Sequence, residues 1–337
     1  MRQMDAGATT WKLMAAFFAI YVIWGSTYLA IRFAVQGLPP LLMMGARHLT
    51  AGVLLLAALL LRGERLPARK VWGAALVGGA LQFLGGHGLL AWAEVRVSSG
   101  LAALLIASEP LVMVVLARLA GQERLSLRTL GALALGAVGV AVLFETGVRQ
   151  GSALAAGAVL LATLLWSLGA VYARGVSSAS AVMFAALQML LGGILLLAVG
   201  SASGERVQLA EVSLRSLASL VYLIIFGSLV AFSAYTWLMK VTTAARVSTH
   251  CYINPIVAVF LGWALAGERV TTNMLVGTAI VIASVVLVKK YACRRKWRRT
   301  EKAGLGLSAA EAMEQIISGP TRRRCGPFCR RPCPHPR

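Results

Sequence analysis

The sequence predicts an all-α polytopic membrane protein with ten transmembrane helices arranged as two inverted five-helix repeats. Three observations carry this. Of 337 residues, 58% are hydrophobic and only 13% charged, with a mean hydropathy of +0.77. A water-exposed surface needs far more charge than that. Apolar runs of bilayer length recur from end to end. Finally, the surroundings of two prolines repeat: Pro110 and Pro255 lie 145 residues apart, and Trp92 matches Trp237, Glu109 matches Asn254, and Glu123-Arg124 matches Glu268-Arg269 at that same offset.

The runs fall at 12–33, 40–61, 71–93, 98–120, 127–144, 152–174, 180–200, 214–238, 244–266 and 271–290. Span 1 lacks a small-residue cleavage site, which predicts a retained helix rather than a signal peptide. It carries an aromatic stripe, Tyr21, Trp24 and Tyr28. Span 2 opens at Pro39-Pro40 and takes Arg47 two turns into the membrane. Span 3 contains Gly85-Gly86-His87-Gly88, then Trp92 and Glu94. Span 4 holds Glu109-Pro110, and span 5 has a smooth face at Ala132, Gly136 and Gly139. Span 6 carries Trp166, span 8 Tyr235 and Trp237, and span 9 His250 and Asn254-Pro255. The connectors are short, and none accommodates a soluble domain.

The net charge of +21 is concentrated: fourteen of the 33 Lys and Arg follow Val288. That pattern predicts no nucleic-acid partner, but a tail that meets anionic lipid. Arg62, Arg65, Arg69, Lys70, Arg118, Arg124, Arg128, Arg174 and Lys240 share one side with the termini if the count is ten. The bias places both termini in the cytoplasm. The expected organisation is a cytoplasmic N-terminus (1–11), a first repeat (12–144), a second repeat (152–290) and a basic, disordered tail (291–337). Cys251, Cys293, Cys325, Cys329 and Cys333 form no disulfide framework, and the tail cysteines with His335 are spaced loosely for zinc. No metal and no cofactor is expected.

Five spans per copy is an odd number, so the second copy enters the membrane upside down. Such repeats supply two pseudo-equivalent conformations, one open to each side. Trp24 to Arg32 also resembles Trp166 to Arg174 at offset 142, and Leu49-x2-Gly52 resembles Leu190-x2-Gly193 at offset 141. The segments Trp24-Gly-Ser-Thr-Tyr-Leu-Ala-Ile-Arg32, Ser99 to Pro110, and Asn254 to Trp263 followed by Gly267-Glu268 resemble the EamA-type proteins of the drug/metabolite transporter superfamily, over about residues 12–290. The resemblance implies a ten-helix inner-membrane transporter, usually an exporter of amino acids, metabolites or other small organic molecules. It implies no particular substrate, and the tail has no counterpart in it.

The candidate cavity residues are Trp24, Tyr28, His87, Trp92, Glu109, Trp166, Tyr235, Trp237, His250 and Asn254. Glu109 and Asn254 lead, because a polar group at mid-depth is costly unless it meets water or a partner. Each adjoins a proline that removes a backbone donor, so helix breaks are expected at Pro110 and Pro255. Glu109 is the candidate proton carrier; the competing reading is a polar residue satisfying a kinked helix. His250 and Asn254 share a face. His87 either lines the cavity or fills a close helix crossing. The aromatic residues suit an amphipathic pocket or simple packing. Glu94, near the external end, is expected to be solvated. Arg47 is a structural charge, snorkelling or paired with Glu94 or Glu109. The smooth face of span 5 packs within the chain or, in a homodimer that the reading does not require, on a second copy.

No Walker-type loop, His-Glu-x-x-His or Gly-x-Ser-x-Gly occurs, so direct ATP drive and enzyme chemistry are not predicted. The alternatives are a lipid scramblase or passive membrane interaction protein, and within transport a nucleotide-sugar or phosphate-ester exchanger. The first needs a lateral polar groove. The second needs several cavity cations, for which Arg47, Lys240 and Arg246 are the few candidates.

Overall fold

The structure is a computed structural model that describes residues 6–119, 127–149, 152–174, 176, 180–241, 247 and 250–302. Glu123, Arg124, Arg246, the tail cysteines and His335 lie outside the described residues. The described residues form helices and connecting turns, with no strand among them. Seven helices are long and apolar enough to cross a bilayer: α1 (Trp11–Ala34), α2 (Pro40–Leu61), α3 (Arg69–Glu94), α4 (Ser99–Leu116), α6 (Ala153–Ala173), α7 (Ala181–Ala202) and α8 (Leu214–Tyr235). Three shorter apolar helices complete the set: α5 (Leu130–Thr146), α9 (His250–Ala266) and α10 (Thr272–Leu287). The chain is thus an all-helical, multi-pass membrane protein.

Helix starts follow local chemistry. Pro40 opens α2, where a missing N–H costs nothing. Ser98, Ser180 and Ser213 cap α4, α7 and α8 by accepting from Leu101, Met183 and Ser216 N–H groups at 3.3, 3.3 and 3.1 Å. Helix α4 is interrupted: one segment runs Ser99–Ile106, and a second starts at Glu109. Pro110 sits in the first turn of the new segment, as expected for a break. The expected break at Pro255 is corrected, because α9 runs through it from His250 to Ala266. Close neighbours hold those turns together. A Cβ on Gly25 of α1 would collide with Val257, and one on Gly100 of α4 would press on Val259. The helix that begins at Thr272 continues to Lys302, so the first part of the expected disordered tail, 291–302, is helical.

Three stretches widen into π-helix: Ala19–Ile23 in α1, Ala80–Gly88 in α3 and Leu223–Val230 in α8. A π turn loosens the i→i−4 ladder and so frees carbonyls for other partners.

Packing relates the two halves of the chain. Helices α2 and α7 cross so closely that a Cβ on Gly52 would meet Leu190 backbone, while one on Gly193 would meet Leu49 backbone. Gly52 and Gly193, like Leu49 and Leu190, are the residues that match at offset 141, so the contacts interchange. Helices α5 and α10 repeat the pattern, with Gly139 against Val281 and Gly277 against Leu143. Small residues allow this approach where no hydrophobic force drives helices together in lipid. The smooth face of span 5 is therefore used inside the chain, where Ser284 Oγ of α10 also donates to the Ala132 carbonyl at 2.6 Å. Turns interchange as well. Gly63 and Gly204 both adopt positive φ, 83° and 81°, each followed by Glu-Arg.

Candidate functional site

Buried polar groups collect in three places, each beside a π segment or the end of a helix. In the first, the widened turn of α1 presents the carbonyls of Ile20 and Tyr21. The Asn254 amide of α9, oriented to donate, reaches both at 3.1 Å, and the His250 carbonyl at 3.2 Å. Next to it Trp24 lies 5.3 Å from Tyr235 and 5.2 Å from His250, ring centre to ring centre. The Trp24 indole N–H donates to the Gly227 carbonyl at 3.1 Å, using an acceptor in the π segment of α8. His250 Nδ1 lies 2.9 Å from the Val247 carbonyl. The predicted Trp24, Tyr235, His250 and Asn254 therefore come together, and Trp237 packs behind them with Ile20, Leu238 and Val247.

In the second place, His87 Nδ1 and His48 Nε2 are 2.8 Å apart. Which ring carries the shared proton depends on the tautomer, but one must donate and the other accept. Trp166 of α6 stacks on His87 at 4.7 Å, and Phe83 lies 4.4 Å from His48. His48 Nδ1 is buried without a partner. Below this cluster Gln188 Nε2 of α7 donates to Gln82 Oε1 of α3 at 3.0 Å. Trp24 and Trp166 match at offset 142, and each packs on the π segment of the opposite half.

The third place is acidic and basic. Arg47 is buried, and its Nε donates to Ser228 Oγ at 3.0 Å. Among the described residues it forms no ion pair, so the expected pairing with Glu94 or Glu109 is not what holds it. Glu94 is 0% exposed, and both carboxylate oxygens lack hydrogen-bond partners. The expectation of a solvated Glu94 is thus corrected: the end of α3 is covered by α1, α2, α4 and α6. Arg32 donates to the Glu94 backbone carbonyl. Tyr28 lies within electrostatic range of Glu94 and Glu109. Glu109 is half-buried at the start of the second segment of α4.

Trp92 is placed differently from the other candidates. The Arg96 guanidinium lies over its ring at 4.4 Å, and the ring lines an apolar cleft of about 680 Å³ between α3, α6 and α7. The ring shares that cleft with Leu89, Gly157 and Leu161. A second apolar cleft of about 320 Å³ runs between α9 and α10 past Phe260 and Trp263.

Two carboxylates from the second half cap helices of the first. Glu268 accepts from Ser99 N–H at 2.8 Å, Ser99 Oγ at 2.9 Å and Gly100 N–H at 3.0 Å, at the start of α4. Glu205 accepts from the N–H groups of Leu41 and Leu42 at 3.2 and 2.9 Å, at the start of α2. Helix N-termini favour such anions. Glu64, which matches Glu205 at offset 141, is exposed, and at the start of α7 it is Ser180 that caps.

Sequence reasoning passed over His48, Ser228, Glu205 and the burial of Glu94. A signal existed for two of them: a second histidine in a neighbouring apolar span, and Gly-Glu-Arg in two matching connectors.

The sequence pattern of the EamA-like transporter family matches twice, at residues 11–145 and 153–289. The inner membrane transporter YedA of Escherichia coli (strain K12), itself uncharacterized, is 38% identical over 278 residues, covering 82% of this chain and 90% of that one. The uncharacterized transporter YoaV of Bacillus subtilis (strain 168) is 24% identical, covering 85% and 99%. A chloroplastic WAT1-related protein of Arabidopsis thaliana is 26% identical, covering 85% and 71%. A solved crystal structure of a protein shares the fold with a TM-score of 0.59 over 84% of this chain and 98% of that one, at 20% identity. Two matched halves and a relative of this similarity agree with the helical bundle, and the chain belongs to the EamA-like transporter family of membrane transporters.

Proposed function

We propose that the protein is a secondary transporter that exports a small organic metabolite, an amino acid or related compound, across the inner membrane by alternating access. Ten spans, two inverted repeats and cytoplasmic termini are the architecture of this reading. The observation that carries it is interchange that holds at the glycine seams and fails at the capping carboxylates. Gly52–Leu190 and Gly193–Leu49 exchange roles, as do Gly139–Val281 and Gly277–Leu143. The capping carboxylates do not: Glu205 is seated on α2, while its counterpart Glu64 is exposed. Two nearly equivalent halves in different arrangements on the two faces are what a carrier closed on one side requires. By the expected orientation, the closed side is the external one.

The cargo path passes between the Trp24–Tyr235–His250 cluster and the Trp166–His87–His48 cluster, with Tyr28, Glu109 and Asn254 beside it. Aromatic faces with a few polar groups suit an amphipathic organic molecule. The two clefts favour neither scramblase nor exchanger: apart from Thr278 in the smaller one, no polar side chain lines them, and Arg47 is committed to Ser228.

The test is efflux from vesicles holding the reconstituted full chain, with a panel of amino acids and metabolites, run with and without a pH gradient. Movement of at least one compound above protein-free vesicles is expected. No movement of any compound counts against the exporter reading. Movement of fluorescent lipid between leaflets in its place would favour a scramblase.

A further inference from the structure

We propose that Glu94, rather than Glu109, is the proton-binding group of the transport cycle. The proposal rests on the transport reading above and assigns it a coupling site.

The geometry is specific. Glu94 closes α3 with 0% exposure, and neither carboxylate oxygen has a hydrogen-bond partner. A bare carboxylate in such surroundings is prohibitively costly, whereas a neutral carboxyl group is tolerated. Two guanidinium groups are close enough to act on it, and both are engaged elsewhere. Arg32 donates to the Glu94 backbone carbonyl, and Arg47 to Ser228 Oγ.

The charges around Glu94 can be taken element by element. Helix α1 brings Arg32 and the Tyr28 hydroxyl, and α2 brings Arg47. The start of α4 brings the Glu268 carboxylate seated on its first turn. Helix α6 packs on the last turns of α3, and its ionisable residues in sequence, Tyr172 and Arg174, fall at its end. Arg96, two residues beyond, is stacked on Trp92. The charges near Glu94 are thus one carboxylate, Glu268, and two guanidinium groups, Arg32 and Arg47, that form no ion pair among the described residues.

Release follows from the Arg47–Ser228 bond, which joins α2 to the π segment of α8. When the halves exchange arrangements and that bond opens, Arg47 is free to pair with Glu94. The carboxyl O–H then breaks, its electron pair stays on the carboxylate, and the proton leaves to water on the face then open. The anion left behind is matched by one guanidinium. No further reactant is needed.

The experiment is infrared difference spectroscopy of the full chain in lipid nanodiscs, titrated with protons and repeated in D2O. One protonated-carboxyl C=O stretch is expected at neutral pH, shifted by D2O, lost in Glu94→Gln and kept in Glu109→Gln. Absence of that band at neutral pH overturns the proposal, as does its loss in Glu109→Gln with retention in Glu94→Gln. Removal of the band by sodium ions or an organic amine at fixed pH also overturns it, because the site would then hold a cation. If Glu94→Gln does not fold, Glu94→Asp and Glu109→Gln decide: the first is expected to move the band and the second to leave it. An intact band with no cargo moved supports the protonation site and fails the transport reading. Cargo driven equally by a pH gradient in the unsubstituted chain and in Glu94→Gln fails the coupling proposal alone.

Discussion

Arg47 shows how much depends on a single side chain in this bundle. Its charge is buried, and the acceptors it has found are neutral: Ser228 Oγ at 3.0 Å and the Met44 sulfur at 3.8 Å. Hydrogen bonds to charged groups contribute about 1.5–3 kcal/mol. Ser228→Ala is therefore expected to destabilise the chain by about that amount, read as a lower midpoint in detergent unfolding; an unchanged midpoint would show the bond to be dispensable. A different outcome is expected for Glu109→Gln: unfolding unchanged, efflux of the cargo reduced. Equal efflux at every pH in both proteins would remove Glu109 from the mechanism. His48→Phe keeps the ring but breaks the 2.8 Å contact with His87. The change is expected to release the stacked Trp166, seen as altered tryptophan fluorescence in the folded protein.

At the scale of elements, the glycine seams decide which helices touch. A Cβ on Gly193 would run into the Leu49 backbone, and one on Gly52 into the Leu190 backbone. Backbone cannot rotate away as a side-chain tip can. Gly193→Ala and Gly52→Ala are each expected to cost roughly 1–3 kcal/mol through overpacking. Gly73 and Gly131 have open space at the same position on their helices. There alanine is expected to stabilise by up to about 1 kcal/mol, the ordinary helix preference. Thermal unfolding of the four variants checks both signs. Equal effects at all four sites would mean that the seams are not tightly packed.

For the whole molecule, the capping carboxylates on the two faces offer the sharpest test. Glu205 and Glu64 occupy matching turns, yet only Glu205 holds a helix N-terminus. Glu205→Gln is expected to loosen the closed face and raise labelling of Val95→Cys by an impermeant thiol reagent in a background lacking other cysteines. Glu64→Gln is expected to leave that labelling unchanged. Identical labelling in both variants would argue against a gate at Glu205. The same reagent maps topology: Val95→Cys and Arg65→Cys are expected on opposite sides of the membrane.

Much of this molecule was legible from the chain alone, because a bilayer imposes one rule on every residue. Apolar length marked the helices, and matching motifs such as Leu49-x2-Gly52 and Leu190-x2-Gly193 marked the repeat, since contacts within each helix are local. His250 and Asn254 could be paired because a spacing of four places them on one helix face, and Trp24 and Tyr235 could be grouped only as aromatic residues suited to an amphipathic pocket. Partner choice was another matter. That Asn254 binds the carbonyls of Ile20 and Tyr21, that Arg47 takes Ser228, that His48 meets His87 and that Glu94 is sealed from water are facts about residues 39 to 234 positions apart. Only the packing of helices against one another brings them within hydrogen-bond range. The same holds for Pro255, whose helix stays continuous through neighbours that the local sequence does not contain.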